Sequence, residues 1–287
     1  LERSATVTTE SECEILELPH KRMRLRRCRT CRLAVMHPLP SATELSRAYE
    51  GEYYEGWGVR KNCEPGSLRR SKCATSGIYL RAAERFIRPG RLLDVGCGLG
   101  YLMEEAERHG WHAHGTEISG YAFERCRRAY GDRVSEGFLE QVGFPDRTFD
   151  AVFLGNGLEH VPDPRRLLDE VKRIARAGGL AVIVVPSTAS LSARLMGETW
   201  PHYHREHLIY FNPDNLRRTL LRSGLEMLCA GPVAKRLNLD YLAASLARYT
   251  VPGLSALLGA ISRLVPGPLR RANFPVLSGD ILAVARA

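Results

Sequence analysis

One stretch constrains this chain more than any other. Leu92-Leu93-Asp94-Val95 is a short apolar run carrying one acid, and it leads at once into Gly96-Cys97-Gly98-Leu99-Gly100. Glycine at every second position opens positive φ to the backbone and lets it approach a ligand closely. An amphipathic stretch from Tyr101 to His109 follows, so the loop joins a buried strand to a helix. Such a unit calls for a parallel sheet with helices on its faces. The spacing is G-x-G-x-G, which fits a dinucleotide fingerprint badly. Glu117 closes the next apolar run, 21 residues after Gly96, where a carboxylate can accept hydrogen bonds from both hydroxyls of a ribose.

The same alternation continues downstream. Strands are expected at Arg91–Val95, His112–Glu117, Asp150–Leu154, Leu180–Val185, Leu225–Ala230 and Ile281–Ala285. Helices are expected at Tyr101–His109, Tyr121–Tyr130, Pro164–Ala175 and Pro213–Ser223, several of them ending at a glycine suited to a left-handed cap. No repeat of fixed period is present. The organisation expected is an irregular, cysteine-bearing segment over 1–75, a core over 76–236, an apolar insert punctuated by Pro and Gly over 237–276, and a closing strand over 277–287.

With 44% apolar and 25% charged residues in 287, the chain is neither disordered, nor collagen-like, nor a disulfide-dense miniature. Its formal charge of +9 is uneven. Residues 1–90 carry net +6, residues 91–230 net −2 and residues 231–287 net +5, so the basic excess flanks a near-neutral centre. That pattern suits an anionic partner met by the flanks. The start is polar and acidic, without a basic patch leading into an apolar run. The longest apolar stretch, Leu242 to Ile261, is broken by Arg248, Pro252 and Gly253, which disfavours a membrane span. The eight scattered cysteines then read as cytoplasmic thiols or metal ligands rather than disulfides.

Further motifs follow the glycine loop in order. Phe144-Pro145-Asp146-Arg147-Thr148-Phe149-Asp150 leads into the Asp150 strand, and Leu158-Glu159-His160-Val161-Pro162-Asp163-Pro164 follows that strand. Arg173-Ile174-Ala175-Arg176-Ala177-Gly178-Gly179 and His207-Leu208-Ile209-Tyr210-Phe211 complete the set. Together with Asp94-x-Gly96-x-Gly98-x-Gly100, these segments resemble the class I S-adenosylmethionine-dependent methyltransferases of the small-molecule branch. The resemblance covers roughly residues 25–230 and the closing strand. It implies a Rossmann-like α/β sheet, mostly parallel with the last strand antiparallel, and S-adenosylmethionine as cofactor. Ala177 stands where the family usually has proline. Phe138 stands where an Asp often receives the adenine amine, so Phe138 is expected against the adenine face and the Leu139 N–H at adenine N1. Asp94, Gly96, Cys97, Gly98, Gly100, Glu117 and Asn156 complete the expected cofactor contacts.

The acceptor side is less constrained. A hydroxyl or carbon acid needs a base titrating near the working pH, for which histidine is suited. His160, just past a strand's carboxyl end where open α/β sheets bind ligands, and His207 are the candidates. Glu159 is expected to orient His160 or to touch substrate. Each histidine has a plainer alternative, a cap or a pin between loop and sheet. His202, His204 and His207 also follow an H-x-H-x-x-H spacing that a metal could use, although the resemblance accounts for His207 without one. Gly155-Asn156-Gly157 replaces the Asn/Asp-Pro-Pro-Tyr-like turn of base-amine methylation, which argues against nucleobase acceptors. Tyr53-Tyr54 resembles a segment that closes over the reacting groups, with Tyr54 placed near the acceptor; an aromatic clamp onto the core is the alternative.

Cys28-Arg29-Thr30-Cys31 resembles the second knuckle of a zinc ribbon that fronts some members of this branch. Cys13, His20, Cys28 and Cys31 could complete a structural Cys3His zinc site, or the ribbon could be degenerate. Lys21, Arg22, Arg24, Arg26, Arg27, Arg29 and Arg32 form a basic stripe that RNA could use, but no aromatic platform is interleaved with it. Tyr241 to Gly279 holds four Arg and no acid, and reads as a lid, a dimer surface or a surface for peripheral membrane contact. The leading expectation is methyl transfer to a small anionic molecule, a sugar, nucleotide-sugar or natural-product intermediate. RNA or a lipid-borne, quinone-like acceptor is the alternative.

Overall fold

The computed structural model describes residues 12–41, 44, 66–239, 242, 257, 260, 261 and 264–287, with the side chains of residues 20 and 67 left out. Two sheets organise them. Strands β4 (Arg91–Val95), β5 (His112–Glu117), β6 (Val134–Glu136), β7 (Phe149–Gly155), β8 (Ala175–Pro186), β10 (Glu226–Leu237) and β11 (Phe274–Arg286) form a seven-stranded sheet in the order β10-β11-β8-β7-β4-β5-β6. β11 runs antiparallel to both neighbours, and the remaining pairs are parallel. The Rossmann-like α/β fold, with its antiparallel last strand, is therefore present.

Consecutive strand residues bury on opposite faces. Leu93, Val152, Leu154, Ile183 and Val185 enter one core cluster, while Leu92, Phe153, Val182 and Val184 enter the other. Burial on both faces explains why these strands read as unbroken apolar runs. Helices α1 (Gly66–Glu84), α2 (Tyr101–Arg108), α3 (Gly120–Tyr130), α4 (Leu139–Val142), α5 (Pro164–Ile174), α6 (Leu191–Met196), α7 (Pro213–Arg222) and α8 (Gly267–Arg270) are arranged around these sheets. α5 shows how local chemistry sets an end. Asp163 accepts hydrogen bonds from the Arg165 and Arg166 N–H groups, Pro164 opens the first turn, and Leu167, Leu168, Val171 and Ile174 bury one stripe.

Three features depart from expectation. The described part of the 1–75 segment holds regular structure: β1 (Cys13–Leu18), β2 (Met23–Cys28) and β3 (Ala34–Met36) form a small antiparallel sheet with β9 (Ile209–Tyr210). α1 crosses residue 75 and is tied to β10 by the Ser71 hydroxyl on the Arg236 carbonyl and by the Arg236 N–H on Thr75 Oγ1 at 2.8 Å. The last two strands are longer than their apolar runs, because Leu237 still pairs with Phe274 across the base of the expected insert. Most of 240–263 lies outside the described residues, and so do Tyr53 and Tyr54. Among the described residues no helix is long and apolar enough to cross a membrane.

Candidate active site

The glycine loop leaves β4 with Gly96, Gly98 and Gly100 at φ of 71°, 55° and 79°. These angles favour glycine, because a Cβ there crowds the following carbonyl. Gly96 also faces open space: a Cβ built on it meets nothing within 4 Å. Behind the loop, Glu117 at the end of β5 is buried, and its two carboxylate oxygens accept the Gly98 N–H at 2.7 Å and the Ser119 N–H at 2.8 Å. Burial raises its pKa, and the Ser119, Gly98 and Ile118 N–H groups oppose that rise. Asp94 is pushed up to about 7 by burial and by the neighbouring Glu117 charge. Asp94, Gly96, Gly98, Gly100 and Glu117 are thus brought together at the carboxyl ends of β4 and β5, with the glycine loop open on one side and braced by the Glu117 carboxylate on the other.

Two expected cofactor contacts need correction. The Cys97 thiol turns inward beside Cys126, and its N–H is already given to the Thr116 carbonyl at 2.8 Å. Cys97 therefore packs the loop from behind. The Asn156 carboxamide donates to Glu159 Oε1 at 3.2 Å and Asp280 Oδ1 at 3.0 Å, so its side chain is held against those two acids rather than turned to the glycine loop. Phe138 is 52% exposed at the start of α4, its carbonyl accepts the Gln141 N–H at 2.9 Å, and the Leu139 side chain is buried in the core.

The candidate carboxylate and imidazoles gather at the carboxyl ends of β7 and β8. The Leu158–His160 turn follows β7, and the Leu208 N–H donates to the Glu159 carbonyl at 2.8 Å, which brings His207 onto that turn. His207 Nε2 lies 3.8 Å and His160 Nε2 4.0 Å from Glu159 Oε1, and the two imidazoles meet edge to face at 4.7 Å. Glu159 is 1% exposed, and burial pushes its carboxyl up to about 8. Burial, aided by His204, pulls His160 down to about 4, and the same causes hold His207 well below the usual imidazole range. Both imidazoles are therefore neutral near pH 7 and only weakly basic in this dry setting.

Sequence reasoning missed a buried acid on β11. Asp280 accepts from Lys235 Nζ at 2.9 Å, from Asn156 and from the Ser278 hydroxyl, with His202 Nε2 at 3.9 Å. Burial would raise this carboxyl, but Lys235, His202 and Ser278 outweigh it and hold it well below the usual range. Lys72 of α1 feels the same charges. Burial, reinforced by Lys235, pulls it down to about 7. A signal existed for Asp280, since it is the one acid between Tyr241 and Ala287 and interrupts an apolar strand.

The expected zinc site is not assembled in the same way. Cys28 and Cys31 interact, Cys13 sits opposite Cys28 in the β1–β2 register, and the Cys31 carbonyl is pinned by Asn212 and Asn215. Among the described residues, however, three metal-ligating groups converge only at Glu159, His160 and His207. The His20 side chain lies outside the described set, so the Cys13, His20, Cys28 and Cys31 reading gains no support.

The methyltransferase-domain family model matches residues 68–230, more than half of the chain and the whole glycine-loop half of the sheet. The chain belongs to the class I S-adenosylmethionine-dependent methyltransferases. A sterol 24-C-methyltransferase of Yarrowia lipolytica is 32% identical over 142 residues, 45% of this chain and 37% of that protein. A ubiquinone biosynthesis O-methyltransferase of Maricaulis maris is 28% identical over 179 residues, 56% of this chain and 68% of that protein. The crystal structure of an S-adenosylmethionine-dependent methyltransferase from Thermotoga maritima superposes with a TM-score of 0.53 at 18% identity, covering 86% of this chain and 99% of that one, and shares the fold. For the three curated relatives that begin with the sterol enzyme, the match spans only 26% to 37% of their length.

Proposed function

We propose that this methyltransferase moves a methyl group from S-adenosylmethionine to an oxygen, nitrogen or carbon of a small anionic molecule, a sugar, nucleotide-sugar or natural-product intermediate. The observation that carries the reading is the open glycine cradle braced by Glu117, set beside a buried carboxylate–imidazole cluster at adjoining strand ends. When bound, the cofactor supplies a methyl group already activated on a sulfonium. Asp94, Gly96, Gly98, Gly100 and Glu117 hold it, with Phe138 and Leu139 at its adenine end. Glu159, His160 and His207 bind and orient the acceptor and exclude water. A neutral imidazole is in the right form to accept a proton from it. Support for an anionic acceptor comes from the basic flanks of the chain.

The RNA alternative is weakened by Glu14, which neutralises Arg27 and Arg32 at 2.7 and 2.9 Å within the basic stripe. A lipid-borne acceptor is the second reading, favoured by Leu191, Leu195 and Leu277, each more than 60% exposed. Calorimetry with S-adenosylhomocysteine tests the cofactor, and absence of binding overturns the reading. Transfer of a labelled methyl group to nucleotide-sugars, compared with quinones in liposomes, tests the acceptor. Labelling confined to the liposome fraction replaces the first reading with the second.

A further inference from the structure

We propose that Glu159, His160 and His207 form a binding site for a first-row divalent transition cation, within the acceptor half of the cleft. One ligand atom from each of the three residues lies within 4.8 Å of the others. Around an ion bound at about 2.0–2.2 Å, neighbouring ligand atoms stand about 3.3–3.6 Å apart. The observed 3.8 and 4.0 Å separations from Glu159 Oε1 thus need to close by about half an ångström, and the two imidazole nitrogens, within 4.8 Å of each other, by up to about 1.5 Å.

A second observation points to a missing ligand. Glu159 Oε2, on the same carboxyl group as Oε1, is buried and has no hydrogen-bond partner among the described residues. A carboxylate oxygen withdrawn from water without a partner is costly, and a cation would satisfy it. The neighbouring groups are already engaged elsewhere. His204 Nδ1 bonds Glu206 at 2.7 Å, His202 Nε2 bonds the Ser278 carbonyl at 3.2 Å, and Asp280 holds Lys235.

The frame is also rigid where a site needs it. Glu159 and His160 are consecutive on one tight turn, the Leu208 N–H fixes that turn to the His207 loop, and Asn156 orients Glu159 Oε1 from behind. Two imidazoles and one carboxylate make a nitrogen–oxygen donor set with coordination positions left over, which suits Mn2+, Fe2+, Co2+ or Zn2+. An acceptor hydroxyl in a vacant position would be acidified by the ion. That last role rests on the methyl-transfer reading; cation binding does not.

The test uses the full chain stripped with a chelator and titrated with Mn2+, followed by electron paramagnetic resonance. One Mn2+ per chain is expected, with nitrogen modulation of the bound-ion echo from the imidazoles. Glu159→Gln and His160→Asn are each expected to weaken binding at least about tenfold while circular dichroism stays unchanged. Cys28→Ser leaves Mn2+ binding intact, and Co2+ gives weak visible bands without the intense ultraviolet thiolate band of a cysteine site. No stoichiometric binding up to about 1 mM, or binding lost in Cys28→Ser and kept in Glu159→Gln, overturns the proposal. The wild-type echo decides the matter even where a variant fails to fold, since absent nitrogen modulation refutes imidazole ligation. S-adenosylhomocysteine binding is measured on the same sample. Mn2+ bound without it leaves the cation site standing and removes the methyl-transfer reading.

Discussion

Replacing Asp280 by alanine removes the acid that holds β10, β11 and the Asn156 turn together. Its carboxylate is fully buried, while Lys235, its partner at 2.9 Å, keeps 21% of its side chain exposed. Breaking a buried pair on one side costs about 3–5 kcal/mol, because the surviving charge loses its compensation. Partial access of Lys235 to water places the cost near the lower end, about 3 kcal/mol. At roughly 2–4 °C per kcal/mol for a domain of this size, the midpoint should fall by about 6–12 °C. Asp280→Ala/Lys235→Met removes both charges and should recover at least about 2 kcal/mol of the loss. The pH dependence has a definite sign. A carboxyl held below its unfolded value stabilises the fold above about pH 4 and loses that contribution as pH falls towards its folded pKa, so wild type and variant should converge in acid. Urea denaturation at pH 7 and pH 3 measures all of this. A single variant within about 1 kcal/mol of wild type at pH 7, or a double variant no better than the single, refutes the argument.

Glu117→Ala leaves the Gly98 and Ser119 N–H groups without their acceptor, and should weaken S-adenosylhomocysteine binding by about 30–150-fold, read by calorimetry. Glu117→Gln keeps one acceptor oxygen and should fall in between; equal affinity in all three proteins contradicts the bracing role. Asp94, raised to about 7, favours the fold below its unfolded value near pH 4, and that stability is lost as pH rises through about 7. Asp94→Asn should therefore flatten the stability profile between pH 5 and 7 by on the order of 1.4 kcal/mol per pH unit, and parallel profiles would count against it. A Cβ at Gly115 would meet Cys97 Sγ at 2.7 Å and Met103 Sδ at 2.8 Å, behind the glycine loop. Gly115→Val should cost about 1–3 kcal/mol in thermal denaturation and weaken cofactor binding with it; an unchanged midpoint would show that the sulfur atoms yield freely.

The strands of the sheet were legible where burial on both faces leaves an apolar run. Arg91–Val95 and His112–Glu117 match the observed β4 and β5 residue for residue. β6 was not legible, because three residues, Val134–Glu136, carry too little pattern to distinguish them from a turn. The small sheet escaped for a different reason. β3 gains its second neighbour, β9, from residues 209–210, a pairing across more than 170 positions that no local period announces. In the site, the glycine loop and the Glu117 carboxylate behind it were readable because their contacts are local, one loop and the strand beside it. Asn156 was expected among the cofactor contacts, but Asp280, far along the chain, engages its carboxamide at 3.0 Å.

Residue order alone determined the alternating sheet, the glycine cradle with its acid, and the family, since each follows from short-range periodicity and spacing. The tertiary structure decided which groups share one dry volume. It carried Glu159, His160 and His207 to a common point and paired Lys235 with Asp280. It also shifted the pKa of Asp94 and Glu159 upward and those of His160 and Lys72 downward. Those properties depend on desolvation and on charges brought close by folding, and neither quantity is carried by the order of residues along the chain.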